Sequence, residues 1–277
     1  MSVGAGAKRW GREQQSTLSY AVRDSATMLR RDFRHSLRYP MMTITSVALP
    51  IFYLLLFVGV FGNTLRAGLG AAAPAGGHYI DYLAPAIIVL TGCASAEMTA
   101  VSVSTDMTEG IIARFRTMDI VRTSVLTGPV LGGLIRTLIS GVLVVAAAFA
   151  LGFRPAANGV GWIAAAGVFA LITLALTWLT VAFGLLAKTP AGANSLSLIV
   201  VILPFVSSAF VPTAAMPAGV RWFAEYQPFT PVIQTLRGLL LGSPIGNNAV
   251  IAIAWCAAIA LTGFLWAKAL YNRAPAR

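Results

Sequence analysis

The sequence predicts an all-α integral membrane protein with six transmembrane helices. Apolar residues make up 57% of the 277 residues and charged residues only 10%, whereas soluble domains carry about 25% charged residues. The apolar residues gather in runs of about 20, the length that crosses a bilayer as a helix. The basic residues stand at the ends of these runs, so the net charge of +11 indicates contact with lipid headgroups and not with nucleic acid.

The residues before the first apolar run divide into two parts. Residues 1–16 have the composition of a disordered cytoplasmic tail. Residues 17–39 carry apolar side chains three and four positions apart, with arginines on the remaining surface. We expect this segment to be an amphipathic helix in the membrane interface. A solvated helix packed on a soluble partner is the alternative.

Six membrane spans follow from the hydropathy of the chain. They cover about 41–61, 80–104, 125–151, 161–186, 194–211 and 248–268. Fifteen Lys and Arg fall on the side of the two termini and four on the other side, which predicts that both ends are cytoplasmic. The transmembrane domain then occupies residues 40–270, and residues 271–277 form a cytoplasmic tail.

The polar segment between spans two and three predicts a short amphipathic cytoplasmic helix over 106–119. Asp106 and Glu109 have the spacing of a helix capping box. The following apolar and basic side chains alternate around the predicted helix: Ile111, Ile112, Arg114, Phe115, Arg116 and Met118. Such a helix either fits a groove on a cytosolic partner or lies on the membrane surface, and the residues alone favour neither.

Two ionisable residues fall inside the apolar runs. Glu97 lies in span two and Arg136 in span three. These spans are antiparallel neighbours, and the two residues have matching depths, so we expect an ion pair between them. Ionisable groups at membrane depth are costly and indicate function by default. The pair is either structural or part of a gate or substrate site.

Residues 212–246 are apolar but interrupted by five prolines. We expect two short helices, near 218–226 and 230–241, that dip into the outer leaflet before span six, because broken helix at membrane depth must be covered by protein or water. Arg221, Glu225 and Arg237 lie on them. A plain extracellular loop is the alternative.

Aromatic residues are concentrated in spans one and five. Span one contains Phe52, Tyr53, Phe57 and Phe61, and span five contains Phe205 and Phe210. The candidates for a substrate pathway are Phe52, Tyr53, Phe57, Phe205 and Phe210. Lipid contact explains such residues in general, and a path for a hydrophobic substrate is the functional alternative.

Motifs for chemistry are missing from the sequence. It contains no Gly-x-x-x-x-Gly-Lys-[Ser/Thr] phosphate loop and no His-Glu-x-x-His zinc motif. We therefore expect no catalytic residue, metal site or cofactor in this chain. Any ATP-driven work must be done by another chain, which would bind ATP and Mg²⁺.

Several short motifs, in this order, resemble the ABC-2 type transporter permeases, especially the daunorubicin-resistance-like drug-efflux permeases. They are Arg38-Tyr39-Pro40, Phe61-Gly62, the segment 109–116 leading to Gly128, the segment 216–221, Pro228-Phe229-Thr230-Pro231, Arg237-Gly238-Leu239-Leu240 and Gly242. The resemblance covers about residues 17–270. The chain departs from many members at Gln227-Pro228, where they have Asn-Pro, and at Arg38-Tyr39-Pro40, where many have Arg-Asn-Pro or similar.

The resemblance implies the ABC-2, or type V exporter, fold and a half-transporter in the bacterial plasma membrane. Two permeases would pair above two copies of a separate ATP-binding subunit. Residues 106–119 would be the coupling helix, 17–39 the connecting helix and 212–246 the re-entrant helices that close the outer side. A drug, antibiotic or lipid would pass along spans one, two and five.

Other functions are compatible with the residues. A proton-coupled secondary transporter would use Glu97 as its proton carrier. The same ABC architecture would also serve export of lipid or polysaccharide conjugates. A membrane scaffold or membrane-embedded enzyme is a third class, although the chain offers no paired acid and base for an enzyme.

Overall fold

The computed structural model describes residues 40–60, 62, 78–109 and 122–273. Eight α-helices lie in these ranges: α1 (Pro40–Leu55), α2 (Tyr79–Thr108), α3 (Arg122–Ala150), α4 (Gly159–Leu186), α5 (Pro190–Ile202), α6 (Ala218–Tyr226), α7 (Phe229–Leu241) and α8 (Asn248–Arg273). A π-helical turn, Leu56–Val60, extends α1, and a 3₁₀ turn, Leu203–Val206, extends α5. The predicted tail and connecting helix, 1–39, lie outside the described residues.

Four of these helices have the length and hydropathy of membrane spans. They are α2, α3 (from Thr127), α4 and α8 (to Asn272). The predicted spans two, three, four and six are therefore present as helices. Spans one and five correspond to shorter apolar helices, Val47–Val60 and Pro190–Val206, so the total of six spans stays a prediction.

The end of span five differs from the sequence prediction. The helix was expected to continue to residue 211, but the α-helix ends at Ile202 and the chain passes into the 3₁₀ turn that contains Pro204. Proline has no backbone N–H and its ring clashes with the preceding turn, so Pro204 disfavours continuation of the α-helix at this point. Residues 207–211 are therefore non-helical, which frees their carbonyl groups for contacts described below.

The centre of the molecule is formed by α2 and α4, which run parallel to each other. Thr180 of α4 donates a hydrogen bond to the carbonyl of Ala96 in α2, at 2.8 Å. On its other side α4 contacts α8 so closely that a β-carbon added to Gly263 would lie 2.7 Å from the backbone nitrogen of Leu179. Small residues at such crossings let helix backbones approach, which is how helices associate in lipid.

Several polar contacts of the described residues lie at one end of the molecule. Asp81, in the first turn of α2, accepts hydrogen bonds from the backbone N–H groups of His78 and of Arg154 in the loop between α3 and α4. The segment 203–211 and helices α6 and α7 also lie here, because Tyr82 of α2 donates to the carbonyl of Ser208. We call this region the loop end.

Helix α7 is the part of the 212–246 segment that enters the core. Phe229, Val232, Ile233, Leu236 and Leu240 are each at most 2% exposed, and α7 packs on α2, α4 and α8. Helix α6 is mostly exposed. The two predicted short helices are present; their position relative to a bilayer stays a prediction.

Candidate functional site: an aromatic cluster on a polar support

The five aromatic residues singled out in spans one and five lie together at the loop end. The ring of Tyr53 meets the ring of Phe205 edge-on at 5.7 Å between centroids. Phe205 stacks on Phe210 at 5.1 Å, and Phe57 lies 4.4 Å from Phe210. Phe52 is 6.2 Å from Tyr53. These distances suit favourable aromatic pairs, and we call the group the aromatic cluster.

The aromatic cluster runs from the surface into the core. Phe52 is 55% exposed, whereas Phe210 is 7% exposed. Phe57 lies in the π-helical turn that extends α1; such turns are frequent at functional sites. The cluster thus forms a continuous aromatic surface that begins at the exposed ring of Phe52 and ends at the buried ring of Phe210.

Behind the aromatic cluster lies a group of four polar residues, Tyr79, Tyr82, Ser208 and Arg237, which we call the polar support. The Tyr79 hydroxyl donates to the carbonyl of Phe210 at 3.2 Å, and the Tyr82 hydroxyl donates to the carbonyl of Ser208 at 2.9 Å. Both acceptors lie in the non-helical stretch after Pro204. Helix α2 therefore fixes the backbone that carries Phe210.

Arg237 completes the polar support from α7. Its guanidinium donates to the carbonyl of Tyr82 at 3.0 Å and to that of Ser208 at 3.2 Å. It also lies 3.7 Å from the centroid of the Tyr82 ring, a cation–π contact. One side chain thus joins α2, α7 and the segment after α5.

Arg237 is a buried cation with no carboxylate partner among the described residues. It is 7% exposed, and its hydrogen bonds all go to backbone carbonyls. The nearby carboxylate of Asp81 is bonded to two backbone N–H groups instead. Burying a charge is costly unless it is well solvated by dipoles, so the planar, multi-donor guanidinium is required here and an ammonium group would not replace it.

The other two predicted gate residues lie apart from Arg237. Arg221 and Glu225 form an ion pair at 3.0 Å on α6, with side chains 49% and 42% exposed. An exposed pair of this kind contributes about 0–1 kcal/mol. The structure therefore separates the three residues, because α6 leaves its charged pair at the surface whereas α7 buries Arg237; their role as a gate stays a prediction.

The junction of α6 and α7 is held by side chains that sequence reasoning missed. Gln227 donates from its amide to the carbonyl of Val206 at 2.7 Å. Thr230 accepts from the backbone N–H of Ser208 at 3.2 Å and donates to the carbonyl of Ala224. Both residues tie the α6–α7 junction to the stretch after α5. The dipeptide Gln227-Pro228, which departs from the Asn-Pro of many family members, was the feature of the sequence that could have indicated this role of Gln227.

Tyr79 and Tyr82 were also missed. Their spacing of three places them on one face of α2, close to the end of a span where tyrosines are enriched. An arginine among the apolar residues of α7 could have indicated that a buried partner was needed. The sequence does not show that this partner is the start of α2.

The predicted Glu97–Arg136 ion pair is not formed, although the structure describes both residues. Ser95 and Thr99 of α2 meet α3, where Thr137 donates to Ser95 and Gly133 contacts Thr99. The predicted depth is therefore right. Glu97 lies two positions from Ser95, about 200° around the helix, so it faces away from α3. Arg136 keeps a buried Nε without a hydrogen-bond partner among the described residues.

The predicted coupling segment is described only at its beginning. Asp106 lies in the last turn of α2, and Glu109 is its C-terminal cap with φ −77° and ψ −1°. The capping-box interpretation of these two residues was wrong, because α2 continues one turn further than expected. Arg114, Phe115, Arg116 and Met118 lie outside the described residues.

Comparison with known sequences decides the family of this chain. The profile of the ABC-2 type transporter family matches residues 24–241. The chain belongs to the ABC-2 type transporter family. The resemblance noted in the sequence motifs is confirmed, and the apolar helices make this family member a multi-pass membrane protein.

Individual relatives of this ABC-2 family member carry names that refer to drug resistance. It is 27% identical to the daunorubicin resistance ABC transporter permease protein DrrB1 of Streptomyces coeruleorubidus, over 80% of this chain and 77% of that one. It is 22% identical to a probable doxorubicin resistance ABC transporter permease, DrrC, of Mycobacterium tuberculosis, over 78% and 76%. A putative transport permease, ycf38, of Porphyra purpurea is 26% identical over 84% and 80%.

The aromatic cluster and the polar support both lie within the matched range of the ABC-2 family. Among the residues that the structure describes, no three His, Cys, Asp or Glu are grouped as metal ligands. The site offers ring stacking, apolar contact and fixed backbone dipoles.

Proposed function

We propose that this chain is the permease subunit of an ATP-binding-cassette exporter that moves hydrophobic compounds out across the plasma membrane. The observation that carries the proposal is the aromatic cluster, which leads from the surface to the buried Phe210 within an ABC-2 family chain. Planar drugs of the kind named for its relatives bind well to aromatic surfaces. The orientation follows the charge count, with the loop end outside.

Energy for export comes from a partner in this proposal. ATP and Mg²⁺ are bound by two copies of a separate ATP-binding subunit, and two permeases pair above them. ATP binding closes the two ATP-binding subunits on each other, and this closure shifts the permeases between states open to opposite sides of the membrane. A ligand shifts such an equilibrium toward the state that it binds more tightly. Residues 106–119 are the proposed contact with the partner.

The contact with the ATP-binding subunit has a direct test. Phe115→Ala and Arg114→Ala should each reduce recovery of the partner on purified permease and lower substrate-stimulated ATP hydrolysis. Val160→Ala provides a control, since Val160 is 74% exposed at the opposite end of the molecule. Unchanged partner recovery and ATP hydrolysis in both variants would exclude this segment as the coupling helix.

The aromatic cluster is the proposed outer end of the substrate pathway. Packing of Phe205 and Phe210 on α1 closes the path, and the polar support holds Phe210 in place in this closed arrangement. When α1 and the segment 203–211 separate, the same rings line the exit. Helices α6 and α7 form the proposed re-entrant gate next to it.

The experiment that tests the pathway is accumulation of a fluorescent anthracycline in cells that express the permease with its ATP-binding subunit. Tyr53→Ala and Phe205→Ala should raise accumulation toward that of cells without the transporter, at unchanged membrane expression. Trp255→Ala is the control, because Trp255 is an exposed aromatic residue on α8 outside the cluster. Equal accumulation in all three variants would contradict the proposed pathway.

A further inference from the structure

A second apolar site shares no lining residue with the aromatic cluster. It is a half-open groove of about 610 Å³ between α3 and α4, with α7 and α2 beneath it. Leu236, Leu240 and Ile88 form its floor and are each at most 6% exposed. The lining is almost entirely apolar.

In the groove, a large side chain of α4 lies in close contact with a glycine of α3. Phe169 of α4 fills the space beside Gly141 of α3, where an added β-carbon would lie 2.6 Å from the Phe169 ring. Next to this contact, α4 contributes only the small side chains of Ala165 and Ala166, which leave space in the groove. The rim stays open, since Val142 is 68% exposed.

The dimensions of the groove match one leaflet of a bilayer. Its lining residues on α3 run from Leu138 to Phe149. These two ends are eleven residue steps apart, which is about 16 Å at the helical rise of 1.5 Å per residue. Half of a hydrocarbon core of about 30 Å is about 15 Å. With the loop end at the outer membrane surface, as proposed above, the groove has the depth of one leaflet.

The outer end of the groove has the composition of a membrane interface. Phe149 stacks on Trp162 at 6.0 Å between centroids, and aromatic residues of this kind concentrate at headgroup level. Arg154, in the loop that joins the two helices of the groove, is exposed. A cation above an apolar slot of one leaflet's depth suits a phosphate attached to an acyl chain.

We propose that the groove between α3 and α4 binds one phospholipid, with an acyl chain along α3 and the phosphate near Arg154. The leaflet is the outer one in the orientation proposed above. The bound lipid fills the space that α3 and α4 leave open over α7 and so supports the helix that carries Arg237. This site is separate from the aromatic cluster and does not depend on what the chain exports.

The test is photo-labelling of the full chain in nanodiscs of phosphatidylcholine that contain a phosphatidylglycerol with a diazirine on one acyl chain. Labelled peptides are mapped by mass spectrometry. A diazirine near the ester should label the region of Phe149 and Trp162, and one at the chain terminus the region of Leu138. Both should exceed labelling of the lipid-facing side of α8 several-fold.

Matched variants separate a specific site from general lipid contact. Ala166→Phe fills the groove and should remove the excess labelling, whereas Ala254→Phe places the same ring on exposed α8 at similar depth and should leave it unchanged. Val142→Trp, at the rim, provides a second blocking variant should Ala166→Phe fail to fold. The proposal would be overturned if the groove were labelled no more than α8. It would also be overturned if neither Ala166→Phe nor Val142→Trp reduced the labelling of the groove.

Two other occupants are distinguished by the same material. Disulfide formation between two copies that carry Val142→Cys, in the same nanodiscs, would show that the groove is a protein interface. Loss of labelling on addition of excess anthracycline would show that it is a substrate site. Either result would overturn the lipid proposal, and neither bears on ATP-driven export, which is measured independently.

Discussion

The guanidinium of Arg237 lies 3.7 Å from the centroid of the Tyr82 ring and donates a hydrogen bond to the carbonyl of the same residue. A single residue of α2 thus supplies both a π face and a backbone dipole to a buried cation. The contact joins the start of a span to a short helix 155 residues later in the chain. The packing of the loop end depends on it.

Substitutions of Arg237 should distinguish its shape from its charge. Arg237→Lys keeps the charge but loses the planar contacts, leaving a poorly solvated buried cation, so we expect a loss of about 2–3 kcal/mol. Arg237→Met removes the charge and keeps much of the volume, so its cost should be smaller. Thermal melting of the purified protein is the measurement. A lysine variant as stable as the wild type would contradict the structure.

The hydroxyl groups of the polar support should contribute separately from the rings. Tyr82→Phe keeps the ring beneath Arg237 and removes one buried hydrogen bond, which is worth about 1 kcal/mol. Tyr82→Leu also removes the cation–π contact and should cost more. Tyr79→Phe is the comparison, since it loses a hydrogen bond without a contact to Arg237. Equal melting temperatures for Tyr82→Phe and Tyr82→Leu would exclude a role for the ring.

Glu97 and Arg136 should behave as independent residues. Because no ion pair joins them, the effects of Glu97→Gln and Arg136→Gln on stability should add to within about 0.5 kcal/mol in the double variant. The cycle is measured by melting of the four purified proteins. A coupling free energy of more than about 1 kcal/mol between the two substitutions would contradict the structure and support the ion pair that the sequence predicted.

The crossing of α4 and α8 should not tolerate a methyl group. In Gly263→Ala the new β-carbon would lie against the backbone of Leu179, and we expect a loss of about 1–3 kcal/mol from overpacking. Gly167→Ala, on the exposed side of α4 with no atom within 4 Å, should be neutral or stabilising by up to about 1 kcal/mol. Equal changes in melting temperature for Gly263→Ala and Gly167→Ala would contradict this packing of α4 on α8.

Hydropathy was sufficient to locate the long helices, because lipid requires long apolar segments whatever their neighbours. It could not locate the end of α5 at Ile202, where the local effect of Pro204 prevails within an otherwise apolar run. Depth along a span was also predictable, as Glu97 and Arg136 show. The face of a helix that meets a given neighbour was not, because it depends on small contacts such as Ser95 with Thr137.

The aromatic cluster was predicted as a set of residues but not as a surface. The sequence places Tyr53 and Phe205 in different spans, and only the fold brings their rings together. The polar support was not predicted, since its hydrogen-bond acceptors are backbone carbonyls that carry no sequence signal. Arg237 was singled out for its charge, but its partners are a ring and two carbonyls.

The most direct test of the central claim is transport by proteoliposomes that contain this chain and its ATP-binding subunit. We predict that ATP added on the side of the ATP-binding subunit moves a fluorescent anthracycline to the opposite side. Tyr53→Ala should slow this movement and Trp255→Ala should not. Movement that proceeds without the ATP-binding subunit and follows a proton gradient, or that stops in Glu97→Gln while ATP is hydrolysed, would contradict the account.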